Sequence, residues 1–150
     1  MTQPSDDKAI HANCLVIGDS GILIRGPSGS GKSTLSHRLI HLASQNGYFA
    51  RMVGDDRIVL QANGGRLIAT GHPLIAGQIE IRGIGIRNVD YENRAVIRLL
   101  VDCEPVLSIR YPDPLDMSDT VLGISIRRIR VTHQSAELVL AALGLGNLSI

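Results

Sequence analysis

Residues 25–34 read RGPSGSGKST, and they fit the pattern G-x-x-x-x-G-K-S/T at every fixed position from Gly26 to Ser33. Glycines at this spacing let backbone N–H groups converge on phosphate oxygens without clashes from Cβ atoms. A helix that begins at the lysine adds the positive end of its dipole and its free N–H donors. The stretch therefore predicts a phosphate-binding loop for ATP or GTP, in which Lys32 reaches the β- and γ-phosphates and the Ser33 hydroxyl binds Mg²⁺. The predicted nucleotide contacts are Gly26, Pro27, Ser28, Gly29, Ser30, Gly31, Lys32, Ser33 and Thr34.

A flexible Gly/Ser linker is the alternative interpretation of the same stretch. The chain contains only two lysines, Lys8 and Lys32, and the second lies at the key position of the pattern. A β-type run precedes the loop, and apolar residues at helical spacing follow it from residue 32 to about residue 44. A linker explains none of these features, so phosphate binding is the preferred interpretation.

The surrounding sequence predicts an α/β fold with a mixed β-sheet. CLVIG (residues 14–18) and GILIRG (residues 21–26) flank a turn, so the strand before the loop is expected to pair antiparallel with its predecessor. In the usual phosphate-loop enzyme that strand belongs to a parallel βαβ unit. FARMVGDD (49–56) is a short apolar run that ends in two acids. Further predicted strands are a hairpin of RIVLQ (57–61) and RLIATG (66–71), AVIRLLVDC (95–103) and ISIRRIRV (124–131); YPDPLDMSD (111–119) is a predicted loop and residues 135–143 a predicted helix.

Composition indicates one domain of about average polarity. The 150 residues are 44% hydrophobic with a net charge of +1, which offers no general attraction for nucleic acid or an anionic membrane. No apolar run approaches the length of a membrane span. Cys14 and Cys103 are far apart and are expected to be buried free thiols in a reducing, cytoplasmic compartment. We expect residues 1–8 to be a loose N-terminus and residues 9–150 to form the single domain.

Phosphoryl transfer also needs a metal-holding acid and a group that orients or deprotonates the nucleophile. Asp55 and Asp56 end a short apolar run, and only one of two adjacent strand residues is expected to face the phosphate. On the pattern alone they fit a solvated turn equally well. Glu80 lies in a stretch with two interior glycines, which suggest close approach to another group, although a surface ion pair also fits. His11 has no signal of its own, and His37 and His41 are interpreted as structural because the stretch lacks HExxH.

Taken together, these motifs resemble the catalytic domain of bacterial HPr kinase/phosphorylase. The order is His11, the hairpin, GPSGSGKS, the pair Asp55–Asp56 and EIRGIGI (residues 80–86), and the resemblance covers residues 9–90 best. It implies a fold like the nucleotide domain of phosphoenolpyruvate carboxykinase. It also implies ATP- and Mg²⁺-dependent phosphorylation of a serine of HPr, the phosphocarrier of the sugar phosphotransferase system, with phosphorolysis as the possible reverse activity. By the same resemblance the protein is expected to form a hexamer.

The resemblance also implies roles for individual residues. Asp56 takes the serine proton, Asp55 is its companion near the metal, and His11 lies close to Asp56. Ser33 and Glu80 bind Mg²⁺, and Lys32 binds the phosphates. The catalytic candidates are Asp56, His11, Lys32, Asp55 and Arg82.

Several features depart from the family's pattern. The chain looks like a short form without the usual N-terminal domain, and several extra residues separate the loop from Asp55. The family's late arginine-bearing loop, tied to phosphorolysis, has no clear counterpart, and Arg127, Arg128 or Arg130 is the candidate replacement. Two further interpretations therefore stay open, namely a nucleotide-binding sensor with little catalysis and a small-molecule kinase. ISIRRIRV (124–131) is expected to be an edge strand or an interface.

Overall fold

The computed structural model of the protein describes residues 7–71, 78–81, 83–88, 91–105 and 117–145. None of the helices in these ranges is long and apolar enough to cross a membrane. The elements in these ranges are β1 (Lys8–Ile10), β2 (Asn13–Ile17), β3 (Ser20–Arg25), α1 (Lys32–Gln45), β4 (Ala50–Gly54), β5 (Ile58–Asn63), β6 (Arg66–Gly71), β7 (Gln78–Ile81), β8 (Gly85–Asn88), β9 (Arg94–Cys103), β10 (Ser118–Val121), β11 (Ile124–Val131) and α2 (Ala136–Ala142).

The central sheet is mixed, as the first hairpin predicts. β3 pairs antiparallel with β2 and parallel with β9, and the path of paired strands runs β1-β5-β6-β9-β3-β2-β4. β11 pairs parallel with β9 on one side and antiparallel with β10 on the other. The prediction that residues 124–131 form an edge strand is therefore wrong. The alternating sequence was compatible with an edge, but Ser118 and Asp119, predicted as loop, begin the strand that covers it.

Two apolar layers cover the two faces of β2 and β3. Leu15, Ile17, Ile22 and Ile24 pack with α1 and α2, whereas the intervening side chains pack against the cluster formed largely by β5, β6 and β9. All five residues of β2 are buried. Burial on both faces explains why these strands are continuous apolar runs instead of alternating ones. Because β2 and β3 pair antiparallel, the start of β2 and the end of β3 lie at the same end of the sheet, where the phosphate loop follows β3.

Local signals placed most element boundaries correctly. α1 spans 14 residues from Lys32, and Gly47 after it has φ 82°, which suits a helix stop. The β5–β6 turn is shorter than predicted, because pairing continues to Asn63 and Arg66 and leaves only Gly64 and Gly65, both with positive φ. At the N-terminus, β1 begins at Lys8, which pairs with Leu60, so Lys8 is part of a strand although it was expected to belong to a loose terminus.

β7 and β8 form a separate two-stranded hairpin that carries most of EIRGIGI. Ile81 pairs with Gly85 across a turn in which Gly83 has φ 84°. Ile84 and Ile86 are exposed on this hairpin. The backbone of Glu80 pairs with that of Ile86, whereas the side chain of Glu80 and the whole of Arg82 lie outside the described residues.

Candidate active site

The phosphate loop connects β3 to α1 and has the backbone that its glycines predict. Gly29 and Gly31 have φ values of 83° and 98°, a region that side-chain-bearing residues rarely adopt. A turn closes the loop, with the Ser30 N–H donating to the Pro27 carbonyl at 3.0 Å. Gly26 is required for a different reason, because a Cβ there would fall 2.4 Å from the carbonyl oxygen of Cys103 on β9. The loop therefore contains a tight turn and also packs against β9.

Lys32 lies over this loop instead of extending into solvent. Its side chain is buried, and Nζ donates to the carbonyl oxygens of Gly26 at 2.8 Å and Pro27 at 3.4 Å. Among the described residues these partners are neutral carbonyls, so the charge of the ammonium stays available for an anion. This position is the one that the sequence pattern assigns to the lysine that binds phosphates.

The two aspartates after β4 have different environments. The Ser33 hydroxyl donates to Asp55 Oδ1 at 3.2 Å, so Asp55 faces the start of α1. Asp56 is exposed and has φ 63°, an uncommon conformation for a residue other than glycine and one that costs about 1–3 kcal/mol. Strained residues of this kind cluster at functional sites, where the surrounding structure holds them in place. Both aspartates lie beyond β4, which ends at Gly54, so strand alternation does not apply to them, and which of the two faces the phosphate stays a prediction.

Asn13, which the sequence analysis did not single out, holds these groups together. Its Nδ2 donates to Ser36 Oγ at 3.1 Å and approaches Ser33 Oγ at 3.4 Å, while its Oδ1 accepts the Asp56 N–H at 2.8 Å. Asn13 is fully buried at the start of β2. One amide therefore links β2, α1 and the segment after β4. A polar residue ahead of the apolar run CLVI was the signal that could have indicated this role.

The donor set beside the loop suits a hard divalent cation. The hydroxyl of Ser33 and the carboxylate of Asp55 are oxygen ligands of the type that Mg²⁺ prefers, and they lie 3.2 Å apart. Among the described residues, no cluster of three or more His, Cys, Asp or Glu side chains is arranged to hold a metal by protein ligands alone. This arrangement fits a Mg²⁺ ion that takes its remaining ligands from phosphate and water.

His11 lies in the wall of a cavity of about 410 Å³ that is also lined by Arg25, the residue before the phosphate loop. Lys8, Arg25 and Asp119 contribute polar groups to the same cavity, and apolar side chains from β1, β3 and β5 form its floor. Within the described part of the chain, no hydrogen bond joins the His11 ring to Asp56. His11 precedes β2 and Asp56 follows β4, and because Cys14 pairs with Gly54, both residues lie toward the same end of these two strands.

An ion-pair network supports the base of the phosphate loop. Arg25 donates through Nε to Asp102 Oδ1 at 2.8 Å and lies 3.0 Å from a carboxylate oxygen of Asp119, and Arg128 also pairs with Asp102. Burial by itself would lower the pKa of Arg25, but the hydrogen bonds and charges of Asp102 and Asp119 outweigh it and raise that pKa. Desolvation by itself would raise the pKa of Asp119, but the hydrogen bonds from Arg25 and the Thr120 N–H and the charges of Arg25 and Arg128 together lower it.

The late arginines considered as phosphate ligands all make contacts within the fold. Arg127 donates to the carbonyl oxygen of Ala142 at 2.8 Å, Arg128 pairs with Asp102, and Arg130 lies 3.8 Å from Glu104. The residue of this segment that reaches the loop is His133, which packs against Gly31. Cys103 also contacts the loop, since its Sγ lies 3.3 Å from the Ser30 carbonyl oxygen. Burial raises the pKa of the Cys103 thiol, so this cysteine stays neutral.

Comparison with known proteins identifies the family. The family model described as HPr Serine kinase C-terminal domain matches residues 2–136. The HPr kinase/phosphorylase of Mycoplasma mycoides is 33% identical over an alignment of 138 residues, and the match covers 81% of this chain and 41% of the relative. That of Treponema pallidum is 33% identical over an alignment of 135 residues, and the match covers 82% of this chain and 40% of the relative. This chain thus spans about two fifths of the length of these curated relatives.

A solved structure agrees with this result over nearly the full length of both chains. The structure of the HPr(Ser) kinase/phosphatase from Coxiella burnetii superposes with a TM-score of 0.72 at 31% identity, covering 91% of this chain and 94% of that one. The mixed α/β fold is therefore shared with a solved relative. On the family match, the sequence identity and the common fold, this chain belongs to the family of HPr serine kinase C-terminal domains.

Proposed function

We propose that this domain transfers the γ-phosphoryl group of ATP to a serine of the phosphocarrier HPr. The observation that carries the proposal is the junction of Ser33, Asp55, Asn13 and Asp56, which brings a metal-binding pair and an exposed carboxylate to the mouth of a phosphate loop. The names of the relatives supply the acceptor, because each is an HPr kinase/phosphorylase or an HPr(Ser) kinase/phosphatase. Because Asp56 is exposed, a protein substrate can reach it, whereas a small-molecule kinase would be expected to enclose this residue in a pocket.

In this mechanism, the loop amides and Lys32 hold the terminal phosphates and offset their charge. Ser33 and Asp55 would hold Mg²⁺ on the protein side, with Glu80 as the further ligand that the family resemblance implies. A bound Mg²⁺ neutralises charge that develops on the phosphate oxygens. Asp56 accepts the proton of the serine hydroxyl. At the same time the serine oxygen forms a bond to the γ-phosphorus, and the bond between that phosphorus and the leaving oxygen of ADP breaks. His11 and Arg82 remain proposed contributors beside Asp56.

Phosphorolysis is expected to be the weaker activity of this chain. In that direction inorganic phosphate attacks the phosphoserine phosphorus, releasing the serine oxygen, which recovers its proton from Asp56, and giving pyrophosphate. An arginine that binds the attacking phosphate would help, but Arg127, Arg128 and Arg130 already make internal contacts. Homo-oligomerisation as a hexamer and a cytoplasmic location remain proposals that rest on the family resemblance and, for location, on two free buried cysteines.

The proposal is tested by mixing the purified chain with HPr, ATP and Mg²⁺ and measuring phosphoserine by mass spectrometry. Asp56→Asn is expected to lower kcat by about 100-fold or more, the range typical of general-base removal, with nucleotide binding retained. Asp19→Asn, the same change in the exposed β2–β3 turn, is the matched control and should act like wild type. Nucleotide binding by wild type without any phosphoserine would contradict the kinase proposal and favour a nucleotide sensor. A parallel reaction of phosphoserine-HPr with inorganic phosphate measures the reverse activity.

A further inference from the structure

The loop between β11 and α2 contacts the phosphate loop through one side chain. A Cβ placed on Gly31 would fall 2.4 Å from Cβ, 2.9 Å from Cγ and 3.2 Å from Nδ1 of His133. Gly31 is the residue before the first turn of α1, and its carbonyl accepts the Leu35 N–H at 2.9 Å. His133 therefore packs directly on the backbone at the point where the phosphate loop becomes a helix.

The segment that carries His133 is itself held at both ends. The Ser135 N–H donates to the Thr132 carbonyl at 3.1 Å, and the hydroxyl groups of the same two residues lie 3.2 Å apart. On the strand side, the Val131 carbonyl accepts the Glu104 N–H at 2.9 Å. Ala136 anchors the other end in the core beside α1. The imidazole thus projects from a short, well-supported loop that can act as a fixed surface.

Gly31 needs an external contact of this kind because glycine restricts its own backbone so little. Gly31 has φ 98°, and neighbouring Gly29 has φ 83°, so this part of the loop has many accessible conformations when nothing packs against it. Phosphate binding requires the N–H groups of the loop and of the α1 terminus to point to one centre. A side chain that excludes other conformations of Gly31 lowers the conformational entropy that the loop must lose when the nucleotide binds.

We propose that His133 is a positioning residue for nucleotide binding, which holds Gly31 and the start of α1 in the phosphate-binding conformation through packing. The proposal rests on nucleotide binding at the phosphate loop and is independent of which protein accepts the phosphoryl group. The His133 atoms nearest to Gly31 are Cβ, Cγ and Nδ1, and because alanine keeps Cβ, the proposal assigns the effect to the volume of the ring. Histidine at this place in the chain had no motif around it, and only the fold reveals its position.

The test measures binding of a methylanthraniloyl derivative of ADP to the full chain by fluorescence, with and without Mg²⁺. If the loop without His133 adopts its binding conformation about a tenth of the time, His133→Ala raises Kd about tenfold. His133→Phe keeps Cβ, Cγ and a ring, so it should restore Kd to within about threefold of wild type if bulk decides. His41→Ala, a histidine change on the exposed face of α1, is the matched control and should leave Kd unchanged.

Thermal unfolding of the same variants separates positioning from a general structural role. The proposal expects His133→Ala to unfold within a few degrees of wild type and, in the HPr assay, to show a raised KM for ATP with nearly unchanged kcat at saturation. Wild-type Kd in His133→Ala would overturn the proposal, as would a Phe variant that binds as weakly as the Ala variant. Failure of wild type to phosphorylate HPr while it binds the nucleotide would refute only the kinase proposal. Failure of wild type to bind nucleotide would refute both.

Discussion

Replacing Asn13 by alanine should destabilise the fold at the point where the active-site groups meet. The change removes hydrogen bonds to Ser36 Oγ at 3.1 Å and to the Asp56 N–H at 2.8 Å, along with a weaker contact to Ser33 at 3.4 Å. Each well-formed bond contributes about 1 kcal/mol, and the contact at 3.4 Å contributes little. Ser36 keeps its bond to the Lys32 carbonyl at 2.8 Å, and water can reach the exposed Asp56. The expected loss in the free energy of unfolding is therefore about 2–3 kcal/mol.

Urea unfolding followed by circular dichroism measures this loss directly. For a chain of this length the same change corresponds to a fall in Tm of about 5–10 °C. Asn63→Ala, the same substitution at the exposed end of β5, is the control and should cost less than about 0.5 kcal/mol. A loss below about 0.5 kcal/mol in Asn13→Ala would refute the reasoning, because it would show that water replaces the Asn13 amide at no cost in stability. Asn13→Ala with wild-type phosphotransfer would likewise show that Asp56 needs no support from Asn13.

Two further predictions concern the supports of the phosphate loop. Asp102→Asn removes the negative charge that Arg25 and Arg128 share, although Arg25 keeps its contact with Asp119. Because the side chains of Arg25 and Arg128 are only 26% and 19% exposed, we expect a loss of about 2 kcal/mol in urea unfolding; a midpoint equal to that of Asp19→Asn would contradict this. Burial raises the pKa of the thiols of Cys14 and Cys103, and the thiolate is the form that reacts with iodoacetamide. Iodoacetamide at about pH 8 should therefore label the folded protein far more slowly than the protein unfolded in urea. Equal labelling rates in the two states would show that these thiols are accessible.

The sequence by itself determined the elements whose signals are local. The glycines and the lysine of residues 26–33 predict a phosphate-binding loop between a strand and the N-terminus of a helix. The structure has β3 and α1 at these two places. Gly64 and Gly65 determined the second hairpin, because both must adopt positive φ. Continuous apolar runs in β2 and β3 required two covering layers, and a turn of two residues between them required antiparallel pairing. Each of these conclusions depends on backbone preferences of neighbouring residues.

Only the tertiary structure decided which distant side chains share the site. Asp102 lies 77 residues from Arg25 and reaches it because β3 and β9 pair in parallel, a register that no local pattern specifies. Asn13 and Asp56, 43 residues apart, meet because β2 and β4 are neighbours. β11, whose alternation was compatible with an edge, lies inside the sheet because β10 covers it. His133 contacts Gly31 because strand pairing and the packing of α2 on α1 bring the loop between β11 and α2 to the phosphate loop, and such long-range contacts depend on the whole core.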